Sequence, residues 1–293
     1  MGITPRILFA AHCLYMAVHI FMKTNRKRVV ITGIGILSSL AENLQDFRNA
    51  LLNKKNGVTD SVRFSKWFEN ARAAEVLHDI DYSELPDDVT RKLHMTSDAR
   101  EYQIYGNDPK GYIPGEGACM LLLEDPQRAA ARGAEVLAEV AGYGKACSNS
   151  YFDASQRDEK SSSMALAIAR ALADAGVTAQ EIDLVCGTSN GSDESSRIEI
   201  DAIYATFAQA KPDVPVVNYN ACFGFVASAA GLLNLAVIID CFKTQAVPAI
   251  PHTVEFFDKR INFVREPLKL ALKHVLLVGA TEGGNYYAFV IKG

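Results

Sequence analysis

The stretch "GYIPGEGACMLLLEDPQRAAARGAEVLAEVAGYG", residues 111–144, carries the most explicit structural grammar in the chain. Its apolar run from Gly115 to Asp125 predicts a strand. Asp125 is then placed to accept from the first N–H groups of a helix, Pro126 suits the first helical position, and Gly133 follows the last turn. Apolar residues resume from Ala134 to Cys147 as a further strand. Strand, short helix and strand in succession argue for layered α/β architecture.

Working outward, "RVVITGIGIL" (Arg28 to Leu37) is a β-branched run that predicts a buried strand entering a tight turn at Gly33 and Gly35. Leu44, Phe47 and Leu51 follow at helical spacing, and "NKKNG" closes that helix by Gly57. Residues 58–110 are weakly periodic and read as loops with one or two short helices. Downstream, Met164, Ile168 and Leu172 define one face of a helix over Ser161 to Gly176. Thr178 and Glu181 form a capping-box pattern before a strand over Ile182 to Asn190. A helix over residues 196–210 and a strand over 214–220 come next. The helix of residues 227–242 is apolar around most of its circumference but contains Asn234 and Asp240; it reads as central and too short to span a membrane. "HVLLVGATEGGNYYAFVIKG" predicts two strands joined at Gly283 and Gly284. The similar elements "VVITGIG" and "DLVCGTS" suggest a weak internal duplication. The expected organisation is an N-terminal extension (1–27), a shortened first half (28–133) and a second half (134–293).

With 293 residues, a net charge of −4, 49% hydrophobic and 22% charged residues, the composition is that of a soluble globular protein. It offers no basic field for nucleic acid or a membrane surface. The six cysteines are scattered, without a C-x-x-C pair or a Cys/His group suited to metal, so free thiols in a reducing cytoplasm are expected. Cys119, Cys186 and Cys241 sit in apolar runs, as core residues do. "GIG" at 33–35 lacks the third glycine and the acidic residue of a dinucleotide motif, and no cofactor is expected. His252 and His274 read as structural or solvated. The apolar run Ile7 to Met22 is shorter than a membrane span and lacks a cleavage site; Met22 is the expected start of the folded chain, with residues 1–21 upstream of it.

Four blocks, "RVVITGIGILSS", the stretch at 111–144, "MALAIARALADAGVTAQEIDLVCGTSN" (164–190) and "NYNACFGFVASAAGLL" (218–233), resemble in the same order the β-ketoacyl synthases of fatty-acid and polyketide assembly. The resemblance covers residues 28–58 and 110–293. It implies a thiolase-like fold of duplicated α/β/α/β/α layers with the N-terminal half shortened. Active members of that family use a cysteine at a helix N-terminus and two histidines. Here the first histidine, of an "HGTST" motif, is replaced by Cys186. In the "KSxxGH" motif Asn220 stands for the lysine and Phe225 for the second histidine. The central block that bears the nucleophile, and a strand of the dimer contact, is missing.

Cys186, Asn220 and Phe225 are therefore expected to be vestigial active-site positions, unable to supply a proton or offset an enolate's charge. Thr188 and Asn190, in the hydroxyl-rich "GTSNGSDESS", are cavity candidates together with Cys222. Glu282, Gly283 and Gly284 stand where the family has its "GFGG" gate, and Glu116 of "GEGA" reads as a structural brace. The resemblance implies a catalytically silent subunit, similar to a chain-length factor, whose partners are an active ketosynthase and an acyl carrier protein. The alternatives are an acyl-thioester transferase or hydrolase using Cys186 or Cys222, and a small-molecule binding module built on the emptied cavity.

Overall fold

A computed structural model describes residues 28–60, 72–74, 102–109, 111–148, 154–281 and 284–293. The first strand, β1 (Val29–Ser38), is longer than the sequence suggested. Gly33 and Gly35 do not turn the chain. They lie inside the strand, opposite Leu122 and Met120 of β4 (Gly117–Glu124), with the register shifting at Thr32. The physical reason is local: a Cβ on Gly33 would stand 3.3 Å from that of Leu122, so the bare backbone lets a bulged ribbon keep its pairing.

Helix α1 (Leu44–Leu52) begins where Asn43 Oδ1 accepts from the Asp46 N–H at 2.9 Å, and buries Phe47, Ala50 and Leu51. Two short strands, β2 (Thr59–Asp60) and β3 (Arg72–Ala73), pair with each other. The punctuation at 125–133 works as the sequence reads. Asp125 Oδ1 accepts from the Gln127 N–H at 2.9 Å, α2 (Pro126–Ala131) follows, and Gly133 takes a φ of +68°.

β5 (Ala138–Cys147) carries α3 (Arg157–Ala175) on its face. Gly142 and Gly144 make that contact possible: an added Cβ would stand 2.3 Å from the Ala171 carbonyl oxygen and 1.9 Å from that of Ala167. Helix α3 starts four residues before its predicted first turn and ends at Gly176, whose φ is 71°. The Thr178/Glu181 capping box is present, but it caps one 3-10 turn, Ala179–Glu181.

The later strands are short. β6 is Leu184–Cys186, not the nine residues expected, because the chain leaves the sheet at Gly187 to form a polar loop. After α4 (Asp193–Phe207), β7 is Pro215–Val217, and Asn220 opens the four-residue helix α5 (Asn220–Phe223) instead of ending a strand. Then come α6 (Ala230–Thr244), β8 (Ala246–Val247), β9 (Asn262–Phe263), β10 (Leu268–Lys269), β11 (His274–Thr281) and β12 (Asn285–Lys292).

Among the described residues, eight strands form one mixed sheet in the order β4-β1-β5-β12-β11-β6-β7-β9. β11, β6, β7 and β9 run parallel to one another, and β12 pairs antiparallel with both β11 and β5. α6 packs against β4 and β11 and buries Leu233, Leu235, Val237, Ile238 and Ile239. Each such side chain taken from water contributes roughly 1.5–3 kcal/mol. By length and composition the 18-residue window Ala227–Thr244, mean hydropathy 1.4, reaches the membrane-spanning range, so it is not too short. Its place is nonetheless in the core, against the sheet.

Candidate functional site

The loop after β6, the turn into α5 and the middle of α6 meet at one buried polar cluster. Asn218, Asn220 and Asn234 are each fully buried. Asn220 Nδ2 donates to the carbonyls of Thr188 (3.1 Å) and Ser189 (2.9 Å), and its Oδ1 accepts from Asn234 Nδ2 at 2.8 Å. Asn234 Nδ2 also donates to Ala230 O at 2.9 Å, while its Oδ1 accepts from the Tyr219 N–H at 2.9 Å. Asn218 Nδ2 donates to Ser189 O at 3.1 Å, and its Oδ1 accepts from the Asn220 N–H at 3.0 Å. Buried amides demand such partners.

Glu199, which the sequence reading passed over, lies at the centre. Its carboxylate accepts from the Thr188 N–H at 2.9 Å, from the Ser189 N–H at 3.1 Å and from the Tyr105 hydroxyl. Burial pushes its pKa up from 4.5 to about 7, against those three hydrogen bonds, which lower it. The signal was available: Ser196, Glu199, Ala202 and Ile203 share one helical face of α4, and all four are buried. A carboxylate on an apolar stripe needs buried partners, but Tyr105 is 94 residues away in sequence and could not be foreseen.

Cys186 is fully buried, with its sulfur 3.7 Å from Asn234 Oδ1. Burial raises its thiol pKa well above the ordinary value, and Glu199 raises it further. Cys222 is 2% exposed and its thiol is likewise pushed up by burial. Neither thiol is thiolate-rich at neutral pH, and thiolate is the reactive form. Thr188 Oγ1 donates to Val278 O at 3.0 Å, and Asn190 Oδ1 accepts from the Ser192 N–H at 2.9 Å.

Phe225 is part-buried beside the cluster and meets Tyr112 edge-on, with ring centroids 5.1 Å apart. Its backbone bonds Ile113 O (2.8 Å) and Gly115 N (3.0 Å), tying α5 to the segment before β4. That joint is tight: an added Cβ on Gly115 would stand 2.2 Å from Phe223 O, and Gly224 holds a φ of 72°. Glu116 is 6% exposed, and its N–H donates to Ala74 O at 2.9 Å. Gly284 takes a φ of 76° and accepts from the Ser148 N–H at 2.9 Å, whereas Glu282 and Gly283 lie outside the described residues. His274 Nδ1 lies 3.2 Å from Glu181 O, away from the cluster. Among the described residues no group of three or more His, Cys, Asp or Glu could hold a metal ion.

A mixed sheet flanked by helices, with its polar centre where the loops after β6 and β7 meet α6, defines a thiolase-like α/β protein. Within that class it resembles the ketosynthases: residues 137–254 match the family model for the β-ketoacyl synthase C-terminal domain. The putative polyketide β-ketoacyl synthase 2 of Streptomyces halstedii is 31% identical over 156 residues, 53% of this chain and 37% of the relative. Two solved structures share the fold. The ishigamide ketosynthase/chain length factor has a TM-score of 0.72 at 19% identity, covering 91% of this chain and 99% of that one. A type II polyketide synthase acyl-carrier protein in complex with its ketosynthase bound to the hexaketide has a TM-score of 0.78 at 13% identity, with the same coverage. The chain spans less than half the length of the curated Streptomyces relative.

Proposed function

We propose that this chain is a ketosynthase-like subunit of the chain-length-factor kind, without condensing activity of its own. It acts beside an active ketosynthase and an acyl carrier protein during polyketide, aryl-polyene or fatty-acid chain elongation, as a soluble cytoplasmic protein. One observation carries the reading: the amides of Asn218, Asn220 and Asn234 use their donors and acceptors on one another and on the backbone. An oxyanion or enolate needs donors aimed at the charge that develops, and these are already committed. In this reading Cys186, Asn220 and Phe225 are vestigial positions, Glu116 braces the joint between β4 and α5, and Thr188, Asn190, Cys222 and Gly284 border the cavity or its gate. Burial of Cys186 and Cys222 speaks against the transferase or hydrolase alternative.

The test is direct. The purified chain, given malonyl- and acetyl-loaded acyl carrier protein, is expected to release no carbon dioxide and to gain no acyl mass. Co-expressed with an intact ketosynthase, it is expected to co-elute. Malonyl turnover by the isolated chain, or an acyl adduct abolished by Cys186→Ala or Cys222→Ala, would overturn the silent-subunit reading; separate elution would overturn the partnership.

A further inference from the structure

The segment that joins β8 to β9 turns sharply at His252. Pro251 O accepts from the Thr253 N–H at 2.8 Å, and the residue between them, His252, has a φ of 62°. A three-residue turn with its central residue at positive φ is rare and strained. Such strain persists only where surrounding bonds hold it. Here they do. Thr253 Oγ1 donates to Ile104 O at 2.8 Å, the Phe257 N–H to Tyr105 O at 3.0 Å and the Asn107 N–H to Glu255 O at 3.0 Å, so residues 253–257 lie antiparallel across residues 104–107. Phe256 stacks on Phe263 with 4.4 Å between ring centroids, and Phe263 on Tyr105 with 5.1 Å. The Tyr105 hydroxyl in turn donates to Glu199. Val254, in the middle of the segment, is 84% exposed, which places the segment at the surface.

One group at the turn is not provided for. His252 Nε2 is buried, and among the described residues it has no hydrogen-bond partner. A protonated ring would hold its charge and an unpaired N–H in the same place. Burial accordingly keeps the His252 pKa below its ordinary 6.5. The charged groups on the elements around it are Glu255, Asp258, Lys259 and Arg260 on its own segment, Asp108 after the facing residues 104–107, Arg265 over the Phe256 ring at 4.9 Å and Glu199 behind Tyr105. Burial alone displaces the imidazole.

We propose that residues 251–257 form a pH-sensitive strap, closed over Tyr105 while His252 is neutral and released from residues 104–107 when it takes a proton. The ring sets the sign. Because its pKa is depressed in the closed form, closure is complete above about pH 6.5 and is lost as pH falls below it. Glu199 acts in the opposite direction, since burial raises its pKa and acid favours its protonated form. Loosening in acid therefore belongs to His252.

Hydrogen exchange read by mass spectrometry on the full chain, corrected for the intrinsic pH dependence of exchange, measures the opening. An imidazole that titrates at 6.5 once released raises the open fraction by up to about tenfold between pH 7.5 and 5.5. A rise of at least about threefold is expected in the peptides that hold Asn107 and Phe257, and none in those of β11 and β12. His252→Asn, which tolerates positive φ and does not titrate, and His252→Gly are each expected to abolish the rise. No rise in the wild type, an undiminished rise in either folded variant, or a rise shared by β11 and β12 would overturn the strap.

Discussion

Replacing Glu199 by glutamine isolates the one titrating group at the centre of the polar cluster. Glu199 is 1% exposed, and burial holds its pKa at about 7 rather than 4.5. The folded state therefore keeps this proton to a higher pH than the unfolded chain does. Stability from the group is fully present below about pH 4.5 and is lost as pH rises through about 7. Each unit of displacement corresponds to about 1.4 kcal/mol, so the loss amounts to about 3 kcal/mol across that window. Glutamine keeps an acceptor for the Thr188 and Ser189 N–H groups but cannot titrate. Urea unfolding followed by circular dichroism at pH 5, 6, 7 and 8 gives the difference in stability between wild type and Glu199→Gln. Titrations elsewhere cancel in that difference, and the Tyr105 hydroxyl, raised well above its ordinary value by burial, stays neutral throughout. The difference is expected to move toward the variant by about 3 kcal/mol as pH rises. A difference constant to within about 0.5 kcal/mol would refute the buried-carboxyl account.

Three further outcomes follow from the same geometry. Asn234→Ala strips partners from Asn220 Oδ1, Ala230 O and the Tyr219 N–H, and is expected to lower unfolding stability by about 3 kcal/mol with an unchanged denaturant slope. Gly144→Ala is expected to yield little soluble protein, because its methyl would collide with the α3 backbone at Ala167; Gly231→Ala, whose methyl meets only the Tyr287 hydroxyl at 3.4 Å, is expected to keep the fold and gain up to about 1 kcal/mol of helix stability. Cys147, exposed at the end of β5, is expected to react with a thiol reagent in the native protein, while Cys186 and Cys222 react only on unfolding; mass mapping of the labelled peptides decides.

Legibility followed the range of the interactions. Asp125, Pro126 and Gly133 announced α2 because caps act within one turn. The centrality of α6 was readable from its nearly continuous apolar surface, and the fold from four blocks in order. β6 and β7 were overextended because "GTSN" and "NYN" resemble strand continuations until their side chains are seen bonding across the cluster. Gly33 and Gly35 misled for the opposite reason: glycine signals a turn, yet here it serves a bulged strand whose partner lies about 90 residues on. Glu199 escaped notice because its hydroxyl partner, Tyr105, lies 94 residues away in sequence.

The amides of Asn218 and Asn220, buried at the turn into α5, have a physical account. A lysine or histidine there would bring charge into a site that excludes water, and would need a counter-ion or substrate to offset it. An amide brings two donors and an acceptor with no charge, which is what the convergence of the 188–189 carbonyls, the 219–220 N–H groups and the α6 turn at Ala230 requires. Once each of these is bonded, the cluster fixes α5 and α6 against β6 as firmly as an apolar contact would, and it specifies their register through direction as well as volume. The same closure leaves the side-chain donors of Asn218, Asn220 and Asn234 committed within the cluster, which is the observation the proposed silent-subunit reading rests on.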